Sequence, residues 1–172
     1  RLPGVVQFST LRARLKITPV NLSRAARELE RRGLARIIHP GRDAGIDFTF
    51  DKKRLWNKAS PVFVSPVRYT VRIKAKVKGS IKSGVSALSE TTDIVDNNFL
   101  TLALIAKEAK KIPTSKLLRY EGDVVEAWRY DPLLLNDNKD IVDPLSLCIS
   151  LRDSPDPRIQ IAIDQLLEKT LW

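Results

Sequence analysis

The chain of 172 residues is long enough for one large domain or two small ones. Its hydrophobic share of 43% and charged share of 29% exclude a disordered chain, and no apolar run approaches the ~18–20 residues that span a bilayer. The formal net charge of +10 is unevenly placed: residues 1–82 hold 20 Lys or Arg against 5 Asp or Glu, and residues 83–172 hold 10 against 15.

A basic first half followed by an acidic second half points to a nucleic-acid-facing part joined to a part with another task. No stretch reads as a signal peptide. The single cysteine, Cys148, excludes an internal disulfide framework and fits a reducing compartment, so the expected location is the cytoplasm, with no membrane partner.

In chain order, Leu2 to Gln7 is a short apolar lead-in, read as the tail of a helix. Ser9 is positioned to cap a short helix from Thr10 to Leu15, with Leu11 and Leu15 on one face, and Lys16 and Ile17 make a turn. Thr18 to Gly33 then carries its own start and stop signals. Thr18 is a natural N-cap, because its oxygen accepts an otherwise unpaired N–H of the first turn. Pro19 suits the first helical position, where its missing N–H costs nothing. Arg31 and Arg32 complement the negative end of the helix dipole, and Gly33 is the residue type that follows a helix end. Leu22, Ala25, Ala26 and Leu29 form an apolar side; Asn21, Arg24, Arg27, Glu28 and Arg31 form the opposite one. Two short helices separated by a tight turn have helix-turn-helix spacing.

After Gly33 the pattern becomes extended. Leu34 to His39 reads as a strand, Pro40 to Gly45 is dense in turn formers, and Ile46 to Phe50 reads as the returning strand. A hairpin placed directly after such a helix has the form of a wing, with Arg42 at its tip. His39 reads as a packed or phosphate-side residue rather than a catalytic base. Asp51 to Lys58 reads as a closing helix, with Leu55 and Trp56 packing back.

These residues carry a resemblance. Asn21-Leu22-Ser23-Arg24-Ala25 through Leu29-Glu30-Arg31-Arg32-Gly33-Leu34, followed by a strand, is similar to winged-helix transcription regulators of the MarR type over about residues 9–55. In that family a Ser-Arg pair early in the helix precedes a Leu-Glu-x-x-Gly-Leu ending. The resemblance implies a winged helix-turn-helix with Thr18–Gly33 as the recognition helix. Asn21 then suits adenine, Arg24 and Arg27 suit guanine, Thr18 and Ser23 suit the backbone, and Arg31 is a further DNA-binding candidate on the same side.

Ser60 to Pro66 reads as a connector. Beyond it, Val67, Tyr69, Val71, Ile73, Ala75 and Val77 alternate with Arg68, Thr70, Arg72, Lys74, Lys76 and Lys78, which predicts a strand running to Lys78. Arg68, Arg72 and Lys74 on its polar face are suited to phosphates; a solvated face whose lysines guard a sheet edge has the same pattern. Gly79 to Gly84 reads as a flexible turn, Val85 to Leu88 as the opening of a short helix, and Asp93 to Asn98 as a polar turn. Phe99 to Ala106 is a buried strand or the start of a helix running into Lys111. Val124 to Tyr130 is a strand. Asp131-Pro132 is the first of three Asp-Pro steps; Asp143-Pro144 and Asp156-Pro157 are N-cap and N1 pairs that start helices at about 144–152 and 157–171. The last helix shows Ile159, Ala162, Ile163, Leu166 and Leu167 on one stripe.

A second, fainter resemblance rests on Ser83-Gly84-Val85-Ser86-Ala87-Leu88, Val125-Glu126-Ala127-Trp128 and Val142-Asp143-Pro144-Leu145-Ser146-Leu147. These segments are similar to abortive-infection antitoxins of type IV toxin–antitoxin systems. That resemblance implies a winged helix followed by a C-terminal α/β domain, repression of the chain's own operon, and a cognate toxin as partner.

Catalytic constellations are sparse. His39 and Cys148 stand alone, no Cys/His spacing suits zinc, and no glycine-rich phosphate loop is present. Glu126-Ala127-Trp128 places a tryptophan where a nuclease Glu-x-Lys pair would need its cation, and Glu90, Asp93 and Asp96 read as a solvated cluster. The expectation is no enzyme, no cofactor and no metal. The fold class expected is α+β: an N-terminal winged helix-turn-helix over residues 1–60, then a mixed α/β C-terminal domain over 61–172. The function expected is a sequence-specific DNA-binding transcriptional regulator, a repressor and in its narrower form an antitoxin-like autorepressor. The alternative is a protein-interaction module whose acidic half binds a partner. The partners expected are double-stranded DNA, a toxin or other protein, and a second copy of the chain as a homodimer.

Overall fold

Helical and strand periods alternate along the chain. In the computed structural model, which describes residues 4–39, 43–74, 77–96, 99–113, 116–135 and 140–171, they build seven α-helices and two sheets among the described residues, a mixed α+β fold. The chain divides into two compact units, Arg1–Phe63 and Val64–Trp172.

The first unit runs β1 (Val6–Gln7), α1 (Phe8–Leu15), α2 (Pro19–Arg31), β2 (Ala35–Ile38), β3 (Gly45–Phe48) and α3 (Lys52–Ala59), closing with a 3-10 turn over Ser60–Val62. The strands form an antiparallel sheet in the order β1-β3-β2, with Val6 and Ile37 both opposite Ile46. The expected helical tail before Gln7 is therefore a strand at Val6 and Gln7, which supplies β3 with its second partner. Nor does Ser9 cap α1. That helix starts at Phe8 with no side-chain cap. Its exposed donors are met instead from the β2–β3 loop, where Asp43 Oδ2 accepts the Ser9 N–H at 3.1 Å and the Ala44 carbonyl accepts the Phe8 N–H at 2.8 Å.

Lys16, with φ of 50°, makes the left-handed turn between α1 and α2. Thr18 caps α2 through its Oγ1, 3.3 Å from the Asn21 nitrogen, and Pro19 occupies the first helical position. The helix ends at Arg31, and Gly33 then turns the chain with a φ of 68°, where a Cβ would be strained. Leu22 and Ala26 are buried, and a small core joins Ala26, Ala35 and Ile46 to the partly buried Val6, Phe8, Leu11, Leu29, Ile37 and Phe48. Burying one such leucine contributes about 1.5–3 kcal/mol. Ala25, expected on the apolar stripe, is exposed; it lies roughly 100° round the helix from Ala26, and a methyl group does not reach the core from there.

The second unit contains β4 (Val67–Ile73), β5 (Ile81–Lys82), α4 (Gly84–Leu88), β6 (Thr101–Ile105), α5 (Ala106–Ala109), β7 (Leu117–Leu118), β8 (Asp123–Trp128), α6 (Pro144–Leu151) and α7 (Pro157–Leu171). Its sheet has the order β5-β6-β8-β4-β7, with β6 and β8 parallel and the other pairs antiparallel. Ile73, Leu102, Leu104, Val125 and Ala127 meet Ala106 and Ala109 in one core cluster. Helix α4 packs on β6, and α4, α6 and α7 pack on one another. On α7 the expected stripe is core: Ala162, Ile163 and Leu166 are buried.

Two expectations need correction here. The basic strand ends at Ile73 rather than Lys78; Ala75 and Lys76 lie outside the described residues, as do Asn97 and Asn98 of the expected polar turn. Gly79–Gly84 is not a loose turn, because Ile81 and Lys82 form β5 opposite Ala103 and Leu102, and Ile81, Ser83 and Gly84 are buried. Gly84 serves close packing: with φ of +52°, its missing Cβ would lie 2.6 Å from Cγ2 of Thr101.

Candidate nucleic-acid interface

Helix α2 buries one side and leaves the other exposed, and its acids decide which cations on that side remain available. Glu28 takes Arg31, with Nη2 to Oε1 at 2.7 Å, and also the guanidinium of Arg32. The two guanidinium groups, by hydrogen bonds first and charge second, hold the Glu28 carboxyl down at about 2, so it is ionised at neutral pH. Glu30 is used differently: its Oε1 accepts the Ile37 N–H at 2.9 Å and ties the end of α2 to β2. Both acids of the helix are thus engaged. Among the described residues Arg24 and Arg27 have no acidic partner, and both are exposed.

Of the residues expected to contact DNA, Thr18 and Asn21 are exposed at the start of α2 and Ser23 is half-buried. Thr18 contributes its oxygen to the cap, while its hydroxyl proton stays outside that bond. Arg31 is exposed on the same side of the helix, with its guanidinium paired to Glu28. Val20, not singled out from the sequence, is 58% exposed beside this row and offers a methyl surface of the kind that meets a thymine methyl group. Pro40, Gly41 and Arg42, the expected wing tip, lie outside the described residues. Next to them His39 is exposed, and Asp43 is held by its bonds to Ser9, which lower its carboxyl pKa.

Arg68, Arg72 and Lys74 belong to the second unit. Arg68 and Arg72 project from the outward face of β4, whose alternate residues Tyr69, Val71 and Ile73 turn to the core, and Lys74 is exposed just beyond the strand. The expected residues therefore form two groups, one on α2 and one on β4. The boundary also changes the charge picture. The first unit has 14 Lys or Arg against 5 Asp or Glu, and the second has 16 against 15. The acidic half read from the sequence is not a folding unit, because β4 brings its cations into the same sheet.

A comparison with known proteins finds no matching family model, no matching curated protein and no matching solved structure. Among the described residues no helix is long and apolar enough to cross a membrane.

Sequence reasoning passed over one polar cluster, in the second unit. Glu126 is 8% exposed; its Oε2 accepts from Ser83 Oγ at 2.6 Å and from Trp128 Nε1 at 3.0 Å. Burial pushes its carboxyl pKa up, against those two hydrogen bonds. The ring of Trp128 meets Tyr130 edge-on at 5.6 Å, and the Tyr130 hydroxyl lies 2.6 Å from Ser146 Oγ on α6. The cluster joins β8 to the start of α4 and to α6. Its sequence signal was the period of β8, which sets Glu126 on the opposite face from the buried Val125 and Ala127. Among the described residues no group of three His, Cys, Asp or Glu is placed to hold a metal ion.

Proposed function

We propose that the unit Arg1–Phe63 is a winged helix-turn-helix that binds double-stranded DNA with α2 in the major groove, and that the protein is a sequence-specific transcriptional repressor. The observation that carries this reading is the pair Arg24 and Arg27, exposed on α2 while both acids of that helix are engaged elsewhere. A guanidinium with no internal partner keeps its forked donors for guanine O6 and N7, and exposed Asn21 has the pairing groups for adenine. The order α1, left-handed turn at Lys16, α2, β2, β3 supports it, as does the excess of cations in this unit. Exposed Arg12, Arg14, Arg36 and Lys52 are suited to phosphates. Autorepression by an antitoxin-like protein is the narrower form of the proposal, and it requires the bound sequence to lie in the chain's own promoter.

Selection of bound duplexes from a random pool tests it. Enrichment of one sequence is expected, and Arg24→Ala and Arg27→Ala should each weaken binding to that sequence by about 1–3 kcal/mol, roughly 5- to 150-fold. No enrichment over random DNA, or unchanged affinity and salt dependence in both variants, would remove α2 as the reading element. Absence of enrichment together with a stably co-purifying protein would favour the interaction-module alternative.

A further inference from the structure

The second unit carries its own cationic surface, built where β4 meets β7. Arg72 pairs with Leu118 and Ile73 with Leu117, and the Lys74 N–H donates to the Lys116 carbonyl at 3.3 Å, which sets Lys74 beside Lys116. The Arg72 guanidinium donates to the Gly122 carbonyl at 3.3 Å, so it lies against the turn formed by residues 119–122. Arg68, Arg119, Lys74 and Lys116 are all exposed. Of the acids in the same segments, Glu121 is exposed, while Asp123 accepts the Leu100 N–H at 3.0 Å. In the same turn Tyr120 is 81% exposed. The arrangement is a row of cations with one solvent-facing aromatic ring.

We propose that this surface binds single-stranded DNA, with phosphates along Arg68, Arg72, Lys74 and Lys116 and an unpaired base stacked on Tyr120. Phosphate contacts alone would serve a duplex equally well, but a duplex hides the faces of its bases in the stack. An exposed ring finds a partner face only on an unpaired base. The choice of DNA rests on the DNA-binding reading of the first unit. A second copy of the chain is a poor occupant: docking this face on the same face of another copy would set one row of cations against the other, and like charges brought together destabilise the contact.

Fluorescence anisotropy on the full chain tests this, with a labelled oligothymidylate of about 15 nucleotides and a duplex of equal length. Tyr120→Ala should weaken single-strand binding about ten-fold and leave duplex binding unchanged, and Tyr120→Phe should restore it. Arg72→Ala combined with Lys74→Ala should lower the slope of log affinity against log salt by about 1.4, at about 0.7 for each phosphate no longer neutralised. Arg24→Ala combined with Arg27→Ala should leave the oligothymidylate affinity at the wild-type value, so failure at α2 and failure at β4 are read separately. Wild-type affinity in Tyr120→Ala, or an unchanged salt slope in the double variant, would overturn the proposal. Tighter binding of an oligouridylate would overturn the assignment to DNA.

Discussion

Replacing Glu126 by Gln isolates the effect of burying a carboxyl group in the second unit. Its burial favours the neutral form, and the hydrogen bonds from Ser83 and Trp128 oppose that only in part, so the folded carboxyl titrates above its ordinary value of 4.5. Below 4.5 both folded and unfolded chains hold the proton. As pH rises past 4.5 the unfolded chain releases it first and then binds fewer protons than the folded one, so stability falls with rising pH until the folded group has also ionised. One proton limits the slope to about 1.4 kcal/mol per pH unit inside that window. A glutamine carbonyl accepts the same two hydrogen bonds and carries no charge. The Glu126→Gln chain should therefore lose this slope, and above the window it should be at least as stable as the wild type.

The assay is urea unfolding from pH 4 to 8, read on the Trp128 indole resonance so that the second unit is followed apart from the first. Glu28, Asp43, Glu108 and Asp156 have lowered carboxyl pKa values and contribute with the opposite sign, stability that is lost as pH falls. They are common to both chains and cancel in the difference curve. A flat difference curve, or a wild type that gains stability relative to Glu126→Gln as pH rises above 4.5, would refute the reasoning.

Thr18→Ala removes the side-chain cap of α2 and should cost about 1 kcal/mol, which in a unit of this size lowers its thermal midpoint by about 4–8 °C. An unchanged midpoint in a melt of the first unit would show that the 3.3 Å contact to the Asn21 N–H contributes nothing. Cys148 is 2% exposed and its thiol is pushed up to about 12, first by burial and then by the charges of Asp143 and Asp164. It should resist Ellman's reagent at pH 8 in the folded chain and react fully in urea; rapid labelling without denaturant would place it outside the core.

What could be read from the sequence was local in its physics. Thr18, Pro19 and Gly33 bound α2 because a cap, a missing N–H and a positive φ act within one helical turn. The Asp-Pro steps at 143 and 156 start α6 and α7 for the same reason, and the apolar stretch after Phe99 yields β6 because continuous apolar side chains fit a strand covered on both faces. The candidate DNA-facing residues on α2 were legible from its period alone. Their availability was not, because it depends on where Glu28 and Glu30 send their oxygens.

Tertiary structure decided the features that join distant segments. A two-residue strand such as β1 or β5 has too few residues to show a period, and exists because β3 or β6 offers it a hydrogen-bonded edge. Asp43 stands in for the missing cap of α1 from 34 positions away, and Ser83 meets Glu126 across 43. The placement of β4 in one sheet with β6 and β8 set its arginines in the same folding unit as the acidic segments and dissolved the apparent acidic half. The sequence by itself determined where α2, α6 and α7 begin, because capping forces are short-ranged, whereas α1 takes its cap from a distant loop. Which charges remain unpaired and which surface each one faces is a property of interactions between residues far apart in the chain, and only the folded structure brings those together.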